Sequence, residues 1–185
     1  MIGLVDALLT EMGAAISGPT GIDTRPSVRA PRRKAPLGWA LSLAMIDVDN
    51  FKQVNDRHGH PTGDRVLQEL ARFLRQRLRQ GDVVARYGGE EFAVVMSNTD
   101  GAIALMVMDR LRSQFATLSH EGDKGESFPV TFSAGVAALT GLASARELVL
   151  AADRALYEAK DRGRDCAVLS SVALTEAASG TAGTP

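Results

Sequence analysis

Residues 82–97 read DVVARYGGEEFAVVMS, two β-rich runs on either side of the pair Gly88-Gly89. A glycine pair between such runs signals a hairpin, because tight turns need positive φ. The spacing therefore predicts a β-hairpin that projects Glu90 from the start of its second strand. Upstream, WALSLAMIDVD (39–49) is an apolar run ending in two carboxylates. A buried central strand reads this way when its C-terminal end opens onto a site. Beyond Gly59 and Gly63, the residues Val66, Leu67, Leu70, Phe73, Leu74 and Leu78 recur at helical spacing and predict a helix over about 63–79. Downstream, 99–118 reads as a helix, HEGDKGES (120–127) as a loop and 128–139 as a strand. Residues 144–163 then read as a helix with Gly163 at its C-cap, and 165–170 as a short last strand. This order predicts an α+β fold: a ferredoxin-like or polymerase-palm-type sheet with helices on one face and a hairpin carrying GGEEF.

Three segments are expected: residues 1–37, 38–170 and 171–185. Leu4, Val5, Leu8, Leu9 and Met12 predict a short amphipathic helix over 3–16 that needs something to pack on. Residues 17–37 form an irregular connector rich in Pro, Gly and Arg. An Ala/Ser/Gly/Thr tail from about 171 is expected to be disordered. The whole chain has 185 residues, 45% hydrophobic and 23% charged, which excludes a wholly disordered chain and a fibre. Aromatics are 5%, so a largely aliphatic core is expected.

A formal net charge of -1 gives no global basic field for a nucleic-acid backbone or an anionic membrane. Cys166 is the sole cysteine, which excludes an intramolecular disulfide framework and a cysteine-rich zinc site; it reads as a small buried apolar residue. No apolar run approaches the roughly 18–20 residues of a membrane span. Asp6 and Glu11 interrupt the first apolar stretch, against a secretory signal. A soluble, cytoplasmic protein is expected.

Asp47 and Asp49 stand at i and i+2, which in a strand aims both at one face, where unpaired carboxylates repel. A hard divalent cation resolves that conflict. Glu90 and Glu91 add oxygen ligands, and Mg²⁺ favours one or two carboxylates plus substrate phosphates. Solvated acids at strand ends are the plain alternative.

Three stretches decide between these readings: MIDVDNFKQVNDRHGHPTGD (45–64), RYGGEEF (86–92) and ALYEAKDRGR (155–164). Together and in this order they resemble the GGDEF domain of diguanylate cyclases, which condense two GTP into cyclic di-GMP. The resemblance spans residues 39–169 and implies a palm-like fold. It implies that Asp47 and Glu90 bind Mg²⁺ or Mn²⁺, with Val48 lending its backbone carbonyl. Glu91 would complete the site or assist deprotonation of the 3′-hydroxyl, and the general-base role stays undivided between Glu90 and Glu91.

The resemblance also makes Asn55 and Asp64 the guanine-reading pair. A carboxylate accepts from the N1–H and N2–H₂ edge, while an amide both donates and accepts. Alone, Asp64 would read as an acid in a first helical turn and Asn55 as a helix C-cap. Lys52, Lys160 and Arg164 match triphosphate-holding positions, although the last two also suit a helix C-terminus. His60 matches the histidine of GHxxGD, beside substrate or in loop packing. Arg79-Gln80-Gly81-Asp82 reads RxxD, five residues before GGEEF, the spacing of the family's product-binding inhibitory site. An arginine fork can bond guanine or phosphate, and Asp accepts from the guanine edge. Arg110 is an extra candidate contact there.

The chain departs from the family at its start. Only Pro19-Thr20-Gly21-Ile22 is similar to the usual DxLTGLxNRR turn, so Arg86 is expected without its acidic partner. Asn50 stands where many members carry a larger apolar side chain. The leading expectation is a Mg²⁺-dependent diguanylate cyclase inhibited by its product through Arg79 and Asp82. Each site should hold one GTP, so turnover requires a homodimer. The alternatives are a non-catalytic cyclic di-GMP receptor and a GTP-sensing domain.

Overall fold

In the computed structural model, which describes residues 40–139 and 145–171, the apolar run after Trp39 becomes strand β1 (Leu41–Val48), buried from Ser42 onward. The elements that follow are α1 (Phe51–His58), α2 (His60–Arg77), β2 (Val83–Arg86), β3 (Glu91–Ser97) and α3 (Gly101–Phe115). Then come β4 (Ser119–Glu121), β5 (Ser127–Pro129), β6 (Phe132–Ala138), α4 (Ala145–Asp161) and β7 (Ala167–Leu169). The expected helix over 3–16, the connector 17–37 and the tail past 171 lie outside the described residues.

β1 is central because both of its faces are apolar. The main sheet runs β2-β3-β1-β6-β7, antiparallel throughout except for the β6–β7 pair. Ala44, Ile46 and Val48 share a core with Phe92 and Val94 of β3, Phe132 and Ala134 of β6, and the apolar stripes of α1, α2 and α3. α4 packs on the opposite face. Its backbone lies so close to Gly135 of β6 that a Cβ there would collide with Ala152 O and Leu156 N. The helices therefore cover both faces rather than the one expected, since a strand apolar on both faces leaves neither for water.

One local expectation also changes. Residues 120–127 are not a bare loop: Ser119–Glu121 pairs with Ser127–Pro129 in a small antiparallel hairpin. It is held from afar, by the His58 ring stacked 3.9 Å from Phe128 and by His120 Nδ1 at 2.7 Å from Glu69 Oε2. The core is largely aliphatic, as composition suggests, with five phenylalanines set into it. Phe51, Phe73, Phe92, Phe115 and Phe132 are buried, with Phe115 touching both Phe73 and Phe132. The few aromatics are concentrated where burying each contributes about 1.5–3 kcal/mol. Cys166 is half-buried, its thiol donating to Ala159 O at 3.3 Å.

Candidate active site

The hairpin forms as expected, but not by the expected turn. β2 and β3 pair with Arg86 opposite Phe92, leaving a longer loop that includes Gly88, Gly89 and Glu90. Neither glycine is among the positive-φ residues. Tyr87 and Gly88 donate their N–H groups to Glu91 O at 2.8 and 3.2 Å. Gly88 instead provides room, since a Cβ there would lie 2.6 Å from Glu91 Oε2. Arg86, expected to want a partner, folds back over the turn and donates to Gly89 O at 2.6 and 3.0 Å. Glu90 therefore belongs to the turn, and Glu91 opens β3.

Register then brings the acids together. Asp47 pairs directly with Glu91 across β1 and β3, and Val48 N donates to Glu90 O at 3.3 Å. Like charges facing each other across a ladder are destabilising. Burial pushes the Asp47 carboxyl above its usual range, opposed by Lys160, whose Nζ lies 2.8 Å from Asp47 Oδ2. Burial, then the neighbouring Asp47 charge, pushes Glu90 up as well. Lys160 thus does more than end α4: it is the near counter-charge to Asp47. No group of three or more His, Cys, Asp or Glu side chains among the described residues is arranged to hold a metal by itself. Asp47, Glu90 and the Val48 carbonyl could supply hard oxygen ligands, a donor set that would suit Mg²⁺ only if completed by phosphate oxygens.

Asp49 does not join that set. Asp49 lies on the same side of the sheet as Asp47, bonded to the Ser133 that faces Asp47 across β1 and β6, but its oxygens are already taken. Its buried carboxylate accepts from Thr131 Oγ1, Ser133 Oγ and Asp165 N instead. Asn50 has φ 54, a left-handed conformation that Asn tolerates better than a bulky apolar residue would, which accounts for asparagine here.

The second cluster lies on α1 and α2. Asn55 sits inside α1 and is not a side-chain cap; its backbone oxygen receives Gly59 N at 2.9 Å. Its Oδ1 is buried without a hydrogen-bond partner and lies against Gly63, where any Cβ would displace it. Asp64 is exposed beyond the first turn of α2, which begins at His60, so the helix-terminus explanation for an acid there loses its footing. His60 and Lys52 are exposed at the start of α2 and in the first turn of α1. Arg164 follows α4 in a left-handed conformation, φ 69, within electrostatic reach of Asp47.

RxxD forms a tight turn after α2: Asp82 Oδ2 accepts Arg79 N at 3.1 Å, and Asp82 N donates to Arg79 O at 2.9 Å. The Arg79 side chain is exposed, as is that of Arg110 on α3. Sequence reasoning missed Thr131, Ser133 and Arg112, which brace the site; no local signal marks them, because their partners are far along the chain. No helix among the described residues is long and apolar enough to cross a membrane.

Known proteins resemble this chain in sequence and fold. Diguanylate cyclase A of Treponema denticola is 44% identical over 131 residues, 70% of this chain and 35% of that protein, so the chain spans about a third of that relative's length. The GGDEF domain of DgcB from Caulobacter crescentus, solved in complex with c-di-GMP, superposes with TM-score 0.69 at 30% identity, covering 72% of this chain and 79% of that one. The active GGEEF domain of a diguanylate cyclase from Vibrio cholerae gives 0.66 at 34% identity, covering 71% and 83%. The family described as diguanylate cyclase, GGDEF domain, matches residues 30–166. With its acids gathered at the hairpin and its sheet topology in place, the chain belongs to the diguanylate cyclase GGDEF-domain family.

Proposed function

We propose that the chain condenses two GTP into cyclic di-GMP, releasing two pyrophosphates. The observation that carries this is the meeting of Asp47, Glu90 and Glu91 at one end of β1 and β3 with Lys160 as close counter-charge. A binding module gains nothing from crowding acids so.

Asp47 and Glu90 through their carboxylates, and Val48 through its carbonyl, would hold Mg²⁺ or Mn²⁺. When bound, the cation polarises the α-phosphate, lowers the pKa of the attacking hydroxyl and neutralises the leaving group. Asn55 and Asp64 read the guanine edge, and the unpartnered Asn55 Oδ1 supports a ligand there. Lys52, Lys160 and Arg164 hold the triphosphate, with His60 at the rim. Lys160 gives up part of its pairing with Asp47 as phosphate oxygens arrive. Glu90 or Glu91 takes the 3′-hydroxyl proton. The 3′-oxygen of one GTP then bonds to the α-phosphorus of the other, whose bond to the β-phosphate oxygen breaks. The same exchange in the opposite sense closes the ring. Each domain holds one GTP, so two copies must face each other. Arg79 and Asp82 bind product and slow the enzyme, with Arg110 at the margin.

Incubation of the full chain with GTP and Mg²⁺ tests this, with Glu91→Gln as matched control. Cyclic di-GMP made by the wild type alone supports it; none from either protein contradicts it.

A further inference from the structure

Asp49 is only 5% exposed, and three donors from two distant segments occupy both of its oxygens. Thr131 Oγ1 and Ser133 Oγ each donate at 2.7 Å, and the Asp165 backbone N–H donates at 3.0 Å. Its own N–H donates to Thr131 O at 2.9 Å. The carboxylate thereby ties the end of β1 to the entry of β6 and to the turn that follows α4. A carboxylate that already accepts three hydrogen bonds is compensated by them, whereas Asp47 two residues before it relies on Lys160.

The turn held by Asp49 is a costly one. Gly163, Arg164 and Asp165 have φ 108, 69 and 45, three successive left-handed residues of which two carry side chains. L residues avoid that region, so neighbouring contacts must impose it. Arg164 N donates to Ala159 O at 3.1 Å, and Arg112 of α3 grips the Asp165 carboxylate at 2.7 Å. The contact that fixes the Asp165 backbone against the site is the Asp49 oxygen. The Arg164 side chain leaves the backbone one residue before that anchor, on a segment adjoining the Asp47 end of the sheet.

We infer that Asp49 is a positioning residue: it pins the Arg164–Asp165 turn to the end of β1, so that Arg164 is preset to meet the triphosphate of GTP. The inference rests on the function proposed above and adds a residue that acts through Arg164 rather than on substrate or cation. Asp49→Asn should preserve the arrangement. Its amide oxygen can keep the Asp165 N–H, and the hydroxyl of Ser133 can turn to accept from its NH₂. Asp49→Ala removes the anchor.

The test is equilibrium binding of a non-hydrolysable GTP analogue with Mg²⁺ to the full chain, together with hydrogen exchange of the Asp165 amide without nucleotide. Asp49→Ala should weaken binding about tenfold or more, the loss expected when a charge-assisted contact goes. Its Asp165 amide should lose protection. Asp49→Asn should stay within about threefold of wild type, with unchanged Mg²⁺ half-saturation. Arg164→Ala combined with Asp49→Ala should bind no worse than Arg164→Ala alone. If Asp49→Ala does not fold, Asp49→Ser, too short to reach the Asp165 amide, carries the same comparison. Unchanged binding in the Ala or Ser variant overturns the inference. So does an Asp49→Asn variant that loses Mg²⁺ response as Asp47→Asn does, which would make Asp49 a ligand. Wild-type protein that binds no GTP analogue overturns the functional reading instead. That failure is distinguishable, because Asp165 exchange reports the anchor with no nucleotide present.

Discussion

Lys160 Nζ lies 2.8 Å from Asp47 Oδ2, so the last turn of α4 delivers a cation to the carboxylate that ends β1. Asp47 faces Glu91 across the ladder, and burial first, then the Asp47 charge, raises the pKa of Glu90. One ammonium stands close to three acids, with Arg164 within electrostatic reach of Asp47, a crowding that strains the site and that a divalent cation would relieve.

Neutralising one acid should separate stability from activity. Glu90→Gln is expected to raise the melting temperature at neutral pH while lowering cyclic di-GMP synthesis by about a hundredfold or more, the scale seen when one transition-state electrostatic partner is lost. Paired melting and turnover assays check this; a variant less stable than wild type would contradict the strain.

Acidity should act in opposite directions on two parts of the fold. Asp47 and Glu90 are raised, chiefly by burial, so they bind protons more tightly folded than unfolded. Their stabilising contribution is full below the unfolded pKa and is lost as pH rises through the folded one. Asp123 is held below its usual range by Arg65 and Thr62, and Glu126 by its own backbone amide and His58. Their contribution is present above the unfolded pKa and is lost as pH falls through the folded one. The stability gain of Glu90→Gln should therefore shrink on acidification, and the small hairpin should loosen. Melting curves across acidic pH, with Asp123→Asn as the hairpin control, measure both.

The Asn55 amide should set base choice. On the proposed reading, in which Asn55 hydrogen-bonds the guanine edge, Asn55→Ala is expected to reduce the preference for GTP over ATP by about tenfold or more. Gly63→Ala should act the same way, since the added methyl occupies the position of Asn55 Oδ1. Competition binding with the two nucleotides measures the ratio.

Gly135 should be the least replaceable residue of β6. Gly135→Ala places a methyl into the α4 backbone, which must move away from β1 and carry Lys160 with it. A loss of about 3 kcal/mol is expected, at the upper end for overpacking. Urea unfolding reads it directly, and an unchanged midpoint would contradict the close approach.

The sheet and its hairpin were legible because short-range patterns encode them: β-rich runs around Gly88-Gly89, and an apolar strand ending in acids. What local pattern could not carry was the form of the turn, in which neither Gly88 nor Gly89 adopts a positive φ. Asp49 shares the Asp47 side of the sheet, as its spacing predicts, but no local pattern shows that donors from Thr131, Ser133 and Asp165 already occupy its oxygens. The β4–β5 hairpin stayed hidden because its support comes from His58 and Glu69 on distant helices. The same holds for Thr131 and Ser133, whose hydroxyls gain meaning only opposite Asp49.

Arg79 separates an inhibited enzyme from a mere receptor. Arg79→Ala should leave the initial rate within about twofold, because its side chain is exposed on a turn outside the acid cluster. It should abolish the slowing of progress curves by accumulated product. Calorimetry with cyclic di-GMP should show the matching loss of binding.

The most direct test of the central claim is cyclic di-GMP formation from GTP and Mg²⁺, followed across protein concentration. The account predicts product from the wild type, with a rate per protomer that climbs as concentration brings two domains together, and none from Asp47→Asn. Wild-type protein that binds GTP yet forms no cyclic di-GMP at any concentration would contradict it.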